Sequence, residues 1–413
     1  MLTAQQGYIV LGNGIIGITK GPRLAAALLV LAASLTGCQA APNPPHGAMP
    51  SGHGGGASVP AADPGAGSEA VADLRGAPDV AGIAGELAGY DVVFVGESHT
   101  RLDHHRNQLA VIRGLYERDP ELAIGVEFFQ HRFQPVLDEY IAGRLSEAEM
   151  LRRTEYFDRW RYDYRLYRPI LRYAREHDIP VVALNLPNAV VRTVARHGRE
   201  ALDENQRAAL PETTVEPDAA YRARLRRTFD RHPQGQGQSF DHFVQAQLLW
   251  DEGMAERAAA HLAQHPDRRM VVLAGNGHVV YGQGIPQRVA ARGPYRTAVV
   301  VNGLEREYGP GVADFLVLTE EEDLPKPGRL GVFLGTADGA VVAARFDEGS
   351  PAQAAGMEAD DRFVSIDGHA IESMADLRIA MLDKAPGDTA TVRVEREHLF
   401  TGPTSHEFRV ELH

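Results

Sequence analysis

Six apolar runs mark out the middle of this chain, near 91–96, 121–127, 179–185, 269–275, 297–302 and 314–319. Most are continuously apolar rather than alternating, which is the pattern of strands covered on both faces. Segments 103–118, 132–142, 164–177 and 284–292 carry helical spacing and predict crossover helices, while the polar, arginine-rich span from about 200 to 265 predicts an inserted helical subdomain. The order predicts an α/β fold, a mostly parallel sheet flanked by helices with a helical insertion.

Two of the runs share one design. Val92-Val93-Phe94-Val95-Gly96-Glu97-Ser98-His99 and Met270-Val271-Val272-Leu273-Ala274-Gly275-Asn276-Gly277-His278 both climb to a glycine and present a histidine three residues later. A third, Leu122-Ala123-Ile124-Gly125-Val126-Glu127, ends on a carboxylate. In open α/β sheets the loops beyond the strand ends gather ligand-binding groups, so two imidazoles and a carboxylate there are the ingredients of a metal or cofactor site.

Composition narrows the classes. With 413 residues, 44% hydrophobic and 23% charged, the chain can bury one good-sized core and a smaller one, and its formal net charge of −13 argues against nucleic acid as a partner. The single cysteine closes a short apolar run, Leu24 to Leu35, at Leu35-Thr36-Gly37-Cys38 behind Lys20 and Arg23. This resembles the lipobox of a bacterial secretory signal, so residues 1–38 are expected to be a lipoprotein signal peptide and Cys38 the lipidated, palmitate-bearing first residue. Gln39 in the next position favours the outer membrane by resemblance to the sorting rule of Gram-negative lipoproteins. Without another thiol, a metal must be held by nitrogen and oxygen. Residues 39–75, rich in alanine, proline, glycine and histidine, read as a flexible tether.

Composition changes again after Pro325-Lys326-Pro327-Gly328. The segments Leu330-Gly331-Val332-Phe333, Gly349-Ser350-Pro351-Ala352-Gln353-Ala354-Ala355-Gly356-Met357 and Asp360-Asp361-Arg362-Phe363-Val364-Ser365-Ile366-Asp367-Gly368 closely resemble a PDZ domain of the bacterial protease-associated type, mainly β, over 323–413. The resemblance makes Leu330, Gly331, Val332 and Phe333 the loop for a peptide carboxylate and Ile371 to Leu382 the helix walling a groove for strand addition. The implied partner is a protein C-terminus or an unfolded peptide.

Within 76–322, Gly96-Glu97-Ser98-His99, His104-His105, Gly125-Val126-Glu127-Phe128, Trp160-Arg161-Tyr162-Asp163-Tyr164-Arg165-Leu166-Tyr167-Arg168-Pro169, Val182-Ala183-Leu184-Asn185-Leu186-Pro187, Gln247-Leu248-Leu249-Trp250-Asp251-Glu252-Gly253-Met254-Ala255 and Ala274-Gly275-Asn276-Gly277-His278 together resemble the ChaN family of haem-binding lipoproteins. The resemblance implies an envelope protein in haem or iron uptake, with tyrosine as iron ligand, a haem receptor as partner and, in some members, a homodimer pairing two haems. It also implies kinship with Tiki and TraB proteins, in which paired Gly-x-x-His motifs and a glutamate hold a divalent metal for peptide hydrolysis.

The residues supply reasons for both halves. Tyrosinate is a hard oxygen donor suited to ferric haem, and arginines beside Tyr162, Tyr164 and Tyr167 are expected to hold it ionised. Tyr162 and Tyr164 share a face only in an extended segment, Tyr164 and Tyr167 only in a helix. Of His104 and His105, one is expected to face the cleft as a haem or metal donor and the other solvent. In the alternative reading, a metal-dependent hydrolase, His99, Glu127 and His278 hold manganese, cobalt or zinc and Glu97 is the general base. A serine hydrolase is not expected, since the neighbouring side chains of Glu97, Ser98 and His99 point apart on an extended loop and no Gly-x-Ser-x-Gly elbow surrounds Ser98.

Overall fold

Strand β1 (Val92–Glu97) lies at the centre of the larger sheet because all six of its residues are buried, with β4 (Arg269–Gly275) on one side and β5 (Thr297–Asn302) on the other. The computed structural model describes residues 79–413 apart from 209, 212–213, 232–238, 304–308, 399 and 401. The expected signal peptide, with Cys38, and the expected tether lie outside the described residues. With β2 (Leu122–Gln130), β3 (Val181–Asn185) and β6 (Phe315–Val317), the sheet runs β3-β2-β4-β1-β5-β6 with every pairing parallel. All carboxyl ends therefore leave the same edge, and β4 stands between β1 and β2.

One apolar layer packs the helices Leu102–Tyr116, Gln134–Ile141 and Tyr164–Glu176 against one face of the sheet. The other face is covered by Phe240–Gln264 and Ile285–Ala290. The expected insertion divides along its length. Tyr221, Leu225 and Val244 make a small separate cluster, whereas Met254, Ala255, Ala258 and Leu262 pack on the strands, so the second half of the long helix is a crossover between β3 and β4. Its small residues at helical spacing let it lie close to the strands. Among the described residues no helix is long and apolar enough to cross a membrane.

The C-terminal sheet is antiparallel and runs β12-β11-β9-β8-β7: Thr404–Glu411, Thr389–Arg396, Arg362–Ile366, Ala340–Phe346 and Val332–Ala337, with the short β10 (His369–Ala370) on β9. It has its own core around Phe363, Ile366, Val392 and Val394. Gly331 precedes β7 with φ +69°, where a Cβ would sit 2.9 Å from Ser350 and Pro351, so this position requires glycine. The groove helix runs Met374–Ala380, shorter than the 371–382 expected, because Ser373 caps its start through Asp376.

This helix also faces the α/β body. Ala375, Ile379 and Leu382, spaced four and three apart, pack against the body's apolar layer. Asp376 pairs with Arg152, Asp383 with Arg168, and the Arg378 guanidinium donates to the Phe157 carbonyl at 3.2 Å.

Candidate functional site

The parallel register sets Glu97 beside Gly275, and the loops after β1 and β4 therefore leave the sheet side by side. Gly96 permits that approach: a Cβ there would lie 2.3 Å from Asn276 Oδ1 and 2.9 Å from Val279 Cγ2. Asn302 fixes the same strand end by donating to the Gly96 carbonyl at 2.9 Å, and Asn185 does so for β2, donating to the Glu127 carbonyl at 2.8 Å.

Glu97 is the buried hub on the β1 side. Its carboxylate meets His99 Nδ1 at 2.7 Å, Gln108 Nε2 at 2.8 Å, the Tyr167 hydroxyl at 3.1 Å and His105 Nδ1 at 3.2 Å. Burial opposes its ionised form, but the charges and hydrogen bonds of His105 and His99 outweigh burial and hold the carboxyl far below the usual carboxylate range. A general base needs an uncommitted lone pair and a pKa near the working pH. Glu97 has neither, and its position is that of an anchor orienting His99 rather than the base expected from sequence.

His99 projects from this anchor toward the opening. Its ring centroid lies 4.7 Å from that of Tyr162 and 4.9 Å from that of Trp160, and its side chain keeps 23% exposure. Burial lowers the imidazole pKa, yet the Glu97 hydrogen bond and the charges of Glu127 and Glu97 carry it above its ordinary value. On the far side of Gly275, Glu127 Oε2 accepts from the Gly275 amide at 2.7 Å and Oε1 stands 3.5 Å from His278 Nε2. His278 Nδ1 is 2.6 Å from Asp251 Oδ1 and 3.0 Å from the Gln247 amide nitrogen, and the Tyr221 hydroxyl donates to the other Asp251 oxygen. Burial again works against the charged imidazole, while Glu127 and Asp251 raise its pKa.

The structure thus brings His99, Glu127 and His278 around Gly275. Their polar atoms are largely committed to protein partners, and among the described residues no group of three or more His, Cys, Asp or Glu is arranged to hold a metal ion. Asp251 and Gln247 were given no role from sequence. Their i, i+4 spacing on a helix otherwise pressed to the sheet was the available signal.

The tyrosines separate clearly. Tyr164 is fully buried and donates to Glu147 Oε1 at 2.9 Å, and Tyr167 is fully buried against Glu97. Tyr162 is 36% exposed at the rim beside His99 and Trp160. Of the arginines expected to support them, Arg165 pairs with Asp163, and Arg168 with Glu147 and Asp383. Burial raises the Tyr162 phenol above its ordinary value, and Glu127 and Glu97 raise it further. His104 and His105 also differ from expectation, since both are buried; His104 Nδ1 accepts from the Ser98 amide at 3.0 Å and His105 belongs to the Glu97 network, so neither faces solvent. The first turn of that helix points inward, under the loop it follows.

Residues 83–289 match the family model described as haem-binding uptake, Tiki superfamily, ChaN. The chain belongs to this family. Residues 328–408 of this ChaN-family chain match the PDZ domain model, in agreement with the antiparallel C-terminal sheet. Among curated proteins it is similar to Protein RETICULATA-RELATED 5, chloroplastic, of Arabidopsis thaliana, 27% identical over 255 residues, 56% of this chain and 34% of that protein. The chain therefore spans about a third of the length of that relative. Among solved structures it is similar to ChaN of Campylobacter jejuni with cofacial haem (16% identity, TM-score 0.44, 57% of this chain and 89% of that one). It is also similar to the PDZ domain of a carboxy-terminal protease from Vibrio cholerae in complex with peptide (16% identity, TM-score 0.18, 21% and 93%).

Proposed function

We propose that this chain is a lipid-anchored haem-binding protein of the bacterial envelope, working in haem uptake or handling, with Tyr162 as the iron ligand and the PDZ groove as the seat of a protein C-terminus. Family membership supports the haem, and the lipobox at Cys38 supports the anchor and an outer-membrane location. The observation that carries the ligand assignment is exposure: Tyr162 alone of the three candidate tyrosines lies at the surface, while Tyr164 and Tyr167 have buried, engaged hydroxyls.

The residues at the rim fit the group. A phenol oxygen is a donor ferric haem accepts, and the aromatic faces of Trp160 and His99 beside it offer apolar contact to a porphyrin. Haem, when bound, supplies an iron centre with visible absorption. The chain's own part is to hold the Tyr162 phenol at the rim and to keep His99 in place through Glu97. Visible spectra of the purified full chain with added hemin test this: a tyrosinate-type band that disappears in Tyr162→Phe and persists in Tyr164→Phe and Tyr167→Phe supports the reading, and an unchanged band in Tyr162→Phe overturns it.

One observation favours a hydrolase as the second reading. His278, oriented by Asp251 at 2.6 Å and facing Glu127 at 3.5 Å, has the partners of an acid–base pair. Peptide or ester cleavage lost in His278→Asn, with metal analysis of the untreated protein for manganese, cobalt or zinc, would favour it over haem handling.

A further inference from the structure

The PDZ groove does not end at its own domain. Val332 and Leu334 on β7, with Met374 and Met381 at the two ends of the groove helix, pack on the domain's core and stay half-buried, and β7 is the terminal strand of its sheet, ready to accept an added strand. With the peptide carboxylate at Gly331, an added strand extends along the six residues of β7 toward Thr336, at about 3.3 Å per residue. About four residues upstream of the carboxylate it reaches a cavity of about 880 Å³ lined by Thr336, Met374 and Glu372 from the PDZ domain and by Arg152 and Asp158 from the α/β body.

We infer that the groove and the body form one composite cleft, in which the PDZ domain holds the last residues of a protein tail and the body, through Asp158 with Glu372, selects a basic residue about four or five positions upstream. This rests on the PDZ reading above and goes beyond it by naming the body as part of the reader. The charge argument is direct: Arg152 is bound to Asp376, and of the remaining ionisable lining groups the two exposed carboxylates of Asp158 and Glu372 outnumber the single exposed imidazole of His369. The occupant is an extended C-terminal segment carrying lysine or arginine.

Fluorescence anisotropy on the full chain tests it with three synthetic peptides: an apolar-ended tetrapeptide with a free carboxylate, the same four residues extended upstream with two lysines, and the same extended with two glutamates. One exposed ion pair is worth up to ~1 kcal/mol, so the lysine peptide is expected to bind about 5-fold more tightly than the tetrapeptide. The double variant Asp158→Asn, Glu372→Gln should lose that advantage and leave tetrapeptide binding unchanged. Equal binding of the lysine and glutamate peptides, or an advantage that survives in the variant, overturns the composite cleft while leaving the groove intact. If the tetrapeptide binds no better than its amidated form, the groove itself fails and the composite cleft falls with it.

Discussion

Glu127 on strand β2 and His278 in the loop after β4 stand 3.5 Å apart between Oε1 and Nε2, while the second Glu127 oxygen accepts from the Gly275 amide at 2.7 Å. A single carboxylate thus ties the backbone of one strand end to the side chain of the loop that follows it. The arrangement depends on Gly275 being small, because the His99 ring occupies the space on its open side.

Gly275→Ala places a Cβ 3.1 Å from His99 Cε1 and 3.2 Å from Nε2. The ring has to yield by a few tenths of an ångström, at a cost of about 1 kcal/mol. Gly96→Ala meets Asn276 and Val279 more closely, and about 2 kcal/mol is expected. Urea denaturation of both variants checks the order; a Gly275→Ala protein less stable than Gly96→Ala contradicts the packing described.

Glu97→Gln removes the anion that four groups share. Hydrogen bonds to a charged acceptor contribute about 1.5–3 kcal/mol each, and the amide keeps only part of that set, so a loss of about 3 kcal/mol is expected. The imidazole pKa values of His99 and His105 should fall, as followed by NMR titration. A variant within about 0.5 kcal/mol of the parent would remove Glu97 from its place as the hub.

Tyr164→Phe and Tyr162→Phe should separate stability from surface. The first leaves Glu147 without a buried hydroxyl partner, for about 1 kcal/mol. The second alters a half-open rim and should stay within about 0.5 kcal/mol of the parent in thermal melts.

Docking of the PDZ helix is expected to weaken in acid. Burial raises the Asp376 carboxyl but the Arg152 and Ser373 hydrogen bonds outweigh it, and Arg168 lowers Asp383; both lie below the ordinary 3.8. A depressed folded pKa gives stability that is present above the unfolded value and lost as pH falls through the folded one. Small-angle scattering from about pH 6 to about pH 3 should show the two domains separating at the acid end, at higher pH in Arg152→Ala. A profile identical in that variant would detach these pairs from docking.

The strands were legible because a doubly covered strand must be apolar throughout, and the two Gly-x-x-His loops with Glu127 stand out at such strand ends. Asp251 was harder to see: a carboxylate on a helix reads as solvated until the helix is known to press on the sheet. His104 and His105 misled for the converse reason, since a polar pair in a first turn is usually exposed, and only the tertiary fold turns both inward toward Ser98 and Glu97. The tyrosines followed the same logic, with helical spacing placing Tyr164 and Tyr167 inside and the left-handed Arg161 (φ 72°) leaving Tyr162 at the rim.

The apolar stripe of Ala375, Ile379 and Leu382, pressed on the body beside Phe157, bears on what either half would do alone. A PDZ domain cut free would turn that stripe to water as an apolar face, and the body would bare its own side of the seam. Separate expression of the two halves is therefore expected to give pieces that self-associate or bind each other, where the joined chain keeps the seam covered.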